Sequence, residues 1–263
     1  MEYQTNLKKI IIPAVVLFLG IIFYFAEQPK EQEIQPIVQK PLGIEISESI
    51  QEPRNGSGVL EYYYYIPESV IKKELKQVPF FIAVPGCNAS GKDFAMQFKK
   101  FVEDYEFILV SPTFIVKGGD FEAKISYQYP AVWSANAMNK IIKNISDKNR
   151  IEPKGLYFLG FSAGAQFAER YALLYPDYVA AASIFAPGGV TLPTQYVQTR
   201  FFYGIGSNDE DVRKQTAEEF SNKSQELRLN TTYKIYDAIH ELNASEINDG
   251  LEFLRQTKEQ LSN

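Results

Sequence analysis

The chain has a single cysteine, a single histidine and a single tryptophan in 263 residues, and each scarcity narrows what it can be. Cys87 alone cannot close an intramolecular disulfide, and one histidine leaves no Cys/His cluster from which to build a zinc site. Neither a metal nor an organic cofactor is implied. Cationic excess is missing too: the formal net charge is -5 and the Lys and Arg residues are scattered, so the electrostatic footprint of a nucleic-acid binder is absent. What the chain holds in quantity is apolar and aromatic side chains. Hydrophobic residues make up 45%, with 17 Tyr and 19 Phe, enough for one sizeable buried core.

One long hydrophobic run stands apart. Lys8 and Lys9 precede "IIIPAVVLFLGIIFYFA", residues 10–26, with no charge until Glu27. It reads as a membrane-targeting segment. A cleaved signal peptide ends in small residues, and bulky Tyr24 three places before the end of the run favours an uncleaved transmembrane anchor; secretion after cleavage is the alternative. The lysine pair ahead of the span places residues 1–9 in the cytoplasm and everything from Glu27 onward outside. A buried core helix would show an amphipathic pattern that this run lacks. Residues 27–56, rich in Pro, Gln and Glu, read as an extended linker, which leaves 57–263 for the folded domain.

Within that domain, strand-like and helix-like texture alternates. "GVLEYYYYIP" and "VPFFIAVPG" read as strands, the second apolar throughout and hence buried. Ser90 or Asp93 then caps a helix with Phe94, Phe98, Phe101 and Val102 on one face. "EFILVSP", "GLYFLG", "YVAAASIFAPGG", "TRFFYGIG" and "TTYKIYDA" follow as strands with helices between most of them, and a last helix carries Ile247, Leu251 and Leu254. Such alternation predicts βαβ crossovers and an α/β fold, a mostly parallel central sheet covered by helices on both faces.

The stretch "YFLGFSAGAQF", residues 157–167, sets Ser162 between Gly160 and Gly164 where a strand hands over to a helix. A G-x-S-x-G string alone is weak, but this placement is that of a nucleophile elbow, whose strained turn excludes bulky neighbours. Ser162 is the candidate nucleophile. A serine hydroxyl needs a base, and the base needs a group to fix its tautomer. His240 follows "TYKIYDA" at a strand end, and Asp209, beside Glu210 and Asp211, lies in the loop after "FFYGIG". The order Ser162, Asp209, His240 matches that of an α/β-hydrolase triad. An N-cap of the next helix is the competing role for Asp211, and possible for Asp209. Two backbone N–H groups should hold the oxyanion: Ala163, directly after the serine, and Cys87 in the loop after "FFIAVPG". The Cys87 thiol as nucleophile is the rival, and no second histidine serves it. Tyr127, Tyr129 and Trp133 in "SYQYPAVW" are candidates to line the substrate cleft, with plain core packing as the competing role.

The chain resembles the α/β-hydrolases, and within them the secreted esterase and polyhydroxybutyrate-depolymerase-like group. The resemblance is carried by "YYYYIPE", "FFIAVPGCNASGKDFA", "GFSAGAQFA", "GIGSNDEDV" and "AIHEL", spanning residues 58–257. It implies a serine hydrolase that cleaves a small-molecule ester through an acyl-enzyme. Two departures stand out: Pro85 where the family commonly has histidine, and Ile239 where it often has glycine before the catalytic histidine. They motivate the alternative of an inactive binding or scaffold domain of the cell envelope; a peptidase on the same fold is a further option. Sequons occur at Asn55, Asn88, Asn144, Asn222, Asn230 and Asn243, and a glycan on Asn88 would cross the oxyanion loop, which favours a bacterial envelope.

Overall fold

The computed structural model describes residues 43–51, 54 and 58–262. The apolar run 10–26 and residues 1–9, expected in the cytoplasm, lie outside the described residues, among which no helix is long and apolar enough to cross a membrane. Strands β1 (Gly43–Gln51), β2 (Val59–Pro67), β3 (Gln77–Val84), β4 (Ile108–Pro112), β5 (Glu152–Phe161), β6 (Val179–Phe185), β7 (Arg200–Gly206) and β8 (Thr231–Tyr236) form one sheet in the order β1-β2-β4-β3-β5-β6-β7-β8. β1, β2 and β4 are joined antiparallel, and from β4 to β8 every pairing is parallel.

The sheet explains the apolar strands. In β3, Phe80, Ile82 and Val84 face one layer while Phe81 and Ala83 face the other, and all are fully buried. The first layer holds α4 (Ser134–Asn149), α5 (Ala163–Leu174) and α6 (Asp211–Glu226), through Met138, Ile141, Phe167, Tyr171 and Phe220. The second holds α2 (Gly91–Met96), α3 (Lys99–Tyr105) and α7 (Ala244–Ser262), through Phe98, Val102 and Leu254. A short α1 (Glu68–Lys72) follows β2. The single helix expected after β3 is thus two, parted near Phe98; Ser90 is its cap, accepting from the Asp93 N–H at 3.2 Å.

Within the stretch 27–56, expected as an extended linker, residues 43–51 form a strand instead. "GIEISESIQ" alternates Ile44, Ile46 and Ile50 with polar residues, and it pairs with β2 along its whole length. Ile50 is buried, and the Tyr62 hydroxyl donates to Glu48 Oε2 at 2.7 Å. Beginning the chain at residue 54 instead of 41 should therefore lower the melting temperature by about 5 °C or more and, by baring the β2 edge, promote self-association. Thermal melts with light scattering on the two chains check this; equal melts would make β1 dispensable.

Candidate active site

Because β3 to β8 run parallel, the loops after β3, β5, β6, β7 and β8 emerge at one sheet edge. Ser162 sits at that edge with φ 54° and ψ -116°, between β5 and α5. Its N–H donates to the Phe185 carbonyl at 2.9 Å, which pins the turn to β6. The flanking glycines are required by close approach. A Cβ on Gly160 would lie 2.4 Å from the Gly164 carbonyl oxygen, and one on Gly164 would lie 2.1 Å from that of Val84.

The loops after β7 and β8 are stitched together: Ser207 N–H donates to Tyr236 O at 2.7 Å and Asn208 N–H to Ala238 O at 2.9 Å. This brings Asp209 under His240. His240 Nδ1 lies 2.9 Å from Asp209 Oδ2, and Nε2 lies 3.1 Å from Ser162 Oγ. The Asp209 carboxylate is shut from solvent while the imidazole is 33% exposed. Asp209 Oδ1 accepts the Glu210 N–H at 2.7 Å and faces Arg213 Nε at 3.5 Å, so both oxygens are committed. α6 begins at Asp211, directly after Glu210, which leaves Asp209 free for the histidine. Phe161 stacks on the imidazole, ring centroids 5.0 Å apart and planes 25° from parallel. That ring was not anticipated from the sequence, although it adjoins the serine.

Ile239, where a glycine is common, keeps its φ out of the left-handed region and is 60% exposed, so nothing at this turn demands glycine. After His240, Asn243 closes a capping box: its Oδ1 accepts from Ser245 and Glu246 N–H, and its own N–H donates to Glu246 Oε2 at 2.9 Å. The start of α7 thereby fixes the turn that carries the histidine.

The loop after β3 passes against the serine, since a Cβ on Gly86 would lie 3.6 Å from Ser162 Cβ. Ala163 opens α5, where a first-turn N–H has no intrahelical acceptor, and among the described residues no acceptor meets the Cys87 N–H. The Cys87 thiol is pushed up from its ordinary range by partial burial, the opposite of an activated nucleophile. Asn88, at φ 56°, accepts the Val116 N–H at 2.7 Å and ties this loop to the one after β4.

The three aromatics expected to line a cleft separate in the structure. Tyr127 is fully buried against Phe114, and its hydroxyl donates to the Pro85 carbonyl at 3.4 Å, beneath the loop after β3. Trp133 is buried as well, its Nε1–H donating to Ile125 O at 2.7 Å with Phe114 edge-on. Both are packing residues. Only Tyr129 reaches a cleft, lying under the Arg170 guanidinium away from the serine.

Helix α5 also buries Glu169 completely, and that burial pushes its carboxyl up to about 8, although the Thr191 N–H and the Arg170 charge pull the other way. Below the ordinary value of 4.5 the group is protonated whether the chain is folded or not. Between 4.5 and about 8 the unfolded chain releases a proton that the folded chain keeps, so stability falls as pH rises through that window. Glu169→Gln preserves the acceptor for Thr191 and should abolish the fall. The Tm advantage of the variant grows from pH 4.5 to 8 and then levels; a constant difference would refute it.

No protein-family model matches the chain, and no curated protein matches it by sequence. Solved structures do. An S-formylglutathione hydrolase from Agrobacterium tumefaciens superposes with TM-score 0.63 at 14% identity, over 83% of this chain and 95% of that one. The poly(3-hydroxybutyrate) depolymerase from Bordetella parapertussis gives 0.62 at 15%, over 81% and 91%. A ferulic acid esterase gives 0.60 at 12%, over 82% and 97%. At these identities the likeness is one of fold: the chain has the α/β-hydrolase fold.

Proposed function

We propose that this protein is a serine hydrolase that cleaves carboxylic esters through an acyl-enzyme. The observation that carries the reading is the unbroken chain from Asp209 through His240 to Ser162, at 2.9 and 3.1 Å, with the serine held at φ 54°. In this mechanism the imidazole proton resides on Nδ1 and is donated to Asp209, leaving Nε2 to accept the Ser162 hydroxyl proton. Ser162 Oγ bonds to the ester carbonyl carbon, and the carbonyl π pair moves onto its oxygen, to which the Cys87 and Ala163 N–H groups donate hydrogen bonds. Collapse breaks the carbon–alkoxy bond, and His240 returns the proton to the departing alcohol. Water then repeats the sequence on the acyl-enzyme.

Asp209, shut from solvent beside the ring, stabilises the imidazolium that forms in each half-reaction. Phe161 limits rotation of that ring. The similar folds include proteins named as a ferulic acid esterase, a poly(3-hydroxybutyrate) depolymerase and an S-formylglutathione hydrolase, which favours a hydrolytic role over a binding role. His240 of the triad reaches solvent at the sheet edge, with exposed Ile239 and Val212 nearby in sequence, which suits an apolar ester. The apolar run 10–26 behind Lys8 and Lys9 serves as a membrane anchor, with the hydrolase domain on the extracytoplasmic side of a bacterial envelope.

The direct test is covalent. A fluorophosphonate probe on the folded protein should phosphonylate one serine, and peptide mapping should find the adduct on Ser162. Absence of an adduct on the folded protein would refute the reading.

A further inference from the structure

A concavity lies on the flank of the domain, away from the triad. It encloses about 360 Å³ between the C-terminal half of α5, the loop after β6 and the residues before α4, within the size range of small-molecule sites. Arg170 lies along α5 from Ser162 by about 12 Å, at a helical rise of roughly 1.5 Å per residue, and no triad residue lines this cleft. The walls are mostly apolar: Leu173, Leu174, Leu192, Pro193 and Val197. Leu174 and Leu192 remain 43% and 42% exposed.

One cation stands among them, and it is held still. The Arg170 guanidinium lies 4.5 Å over the Tyr129 ring, donates from Nη1 to Gln128 O at 2.8 Å and from Nε to Thr191 Oγ1 at 3.2 Å. Thr191 is fixed in turn, its N–H donating to the buried Glu169 at 2.9 Å. Among the described residues no carboxylate comes within ion-pair distance of Arg170, and its Nη2 has no acceptor. The fork is thus oriented at no further entropic cost, and both N–H bonds of Nη2 are uncommitted. Thr191 Oγ1, already accepting from Nε, has its own hydrogen left to donate.

We infer that this cleft binds a small monocarboxylate with an apolar tail, its carboxylate taken by Arg170 Nη2 and the Thr191 hydroxyl and its tail laid against Leu174 and Leu192. A carboxylate suits the planar fork, and the apolar walls exclude a small inorganic anion as the best occupant. The inference stands whether or not Ser162 is a nucleophile.

Hexanoate is the probe, titrated into the full-length protein in detergent micelles while the Thr191 amide and Arg170 Nε–H resonances are followed by NMR. Both should shift and saturate, and uncharged hexanamide should bind about tenfold more weakly or worse. Arg170→Gln should weaken hexanoate by a similar factor. Since Arg170 also braces Gln128 and Thr191, Ala131→Phe, which fills the cleft from an exposed position and leaves the guanidinium intact, is the second variant. It should abolish saturation while the remaining spectrum stays that of the folded protein. Unshifted cleft resonances, equal affinity for acid and amide, or binding that survives both substitutions would each overturn the inference; the last would place the acid at the serine instead.

Discussion

Ser162→Ala lowers ester hydrolysis by about 10⁴-fold or more and leaves the melting temperature nearly unchanged. The two halves of this expectation come from different features. Catalysis collapses because the attacking oxygen is gone, and among the described residues no other hydroxyl or thiol lies within hydrogen-bond distance of His240 Nε2. Cys87 does not substitute, since partial burial keeps it a thiol and the one histidine is aimed at Ser162. Stability holds because the strained backbone at φ 54° is fixed by the Phe185 carbonyl and the start of α5, and these contacts use the main chain, not the hydroxyl. Turnover of a p-nitrophenyl ester series by wild type and variant, with circular dichroism melts alongside, measures both. Activity retained in the variant would remove Ser162 from the chemistry.

Gly164→Ala should do the reverse, breaking the architecture that presents the serine. The added methyl carbon would sit 2.1 Å from the Val84 carbonyl oxygen and 2.4 Å from that of Pro85, both backbone atoms of β3 and its loop. Neither can swing away as a side-chain end does. Relief requires α5 and β3 to part, which loosens the elbow and the oxyanion loop together. We expect a loss of roughly 3 kcal/mol or more in urea unfolding, at the upper end of overpacking costs, with activity falling in the protein that still folds. Gly118→Ala is the control: a Cβ there meets nothing within 4 Å, and its φ lies outside the left-handed region, so stability should stay level or rise slightly. Equal behaviour of the two variants would mean that close packing at Gly164 does not constrain the elbow.

The similarity in fold bears on what these results would mean. Folds of this kind host many chemistries, so the superpositions set the scaffold and the loops must supply the activity. Here the departures in those loops turn out to have local answers. Pro85 stands where a histidine is common in the loop after β3, yet the loop is braced by the Tyr127 hydroxyl from below and by Gly164 behind. Ile239 occupies a turn that needs no left-handed residue. Neither change touches Ser162, Asp209 or His240.

What the sequence by itself determined is whatever is local or periodic. The elbow was legible because its geometry is written within five residues, as a serine between two glycines at a strand-to-helix boundary. The parallel sheet was legible because long apolar strands alternate with amphipathic helices, and the histidine because there is only one. What only the tertiary structure decided depends on partners far along the chain. Three acids stand in a row at 209–211, and the pairing of the β7 and β8 loops, through Ser207 and Asn208, selects Asp209 for the imidazole. The strand at 43–51 was hidden in a Glu- and Ser-rich stretch, since its alternating isoleucines matter only once β2 lies beside them. Tyr127 and Trp133 went into the core while Tyr129 stayed at a cleft, because the long loop after β4 folds onto Phe114, and no spacing within "SYQYPAVW" records where that ring will be. Side-chain chemistry fixes what a residue can do; burial, set by contacts distant in sequence, decides which of them is left facing the solvent to do it.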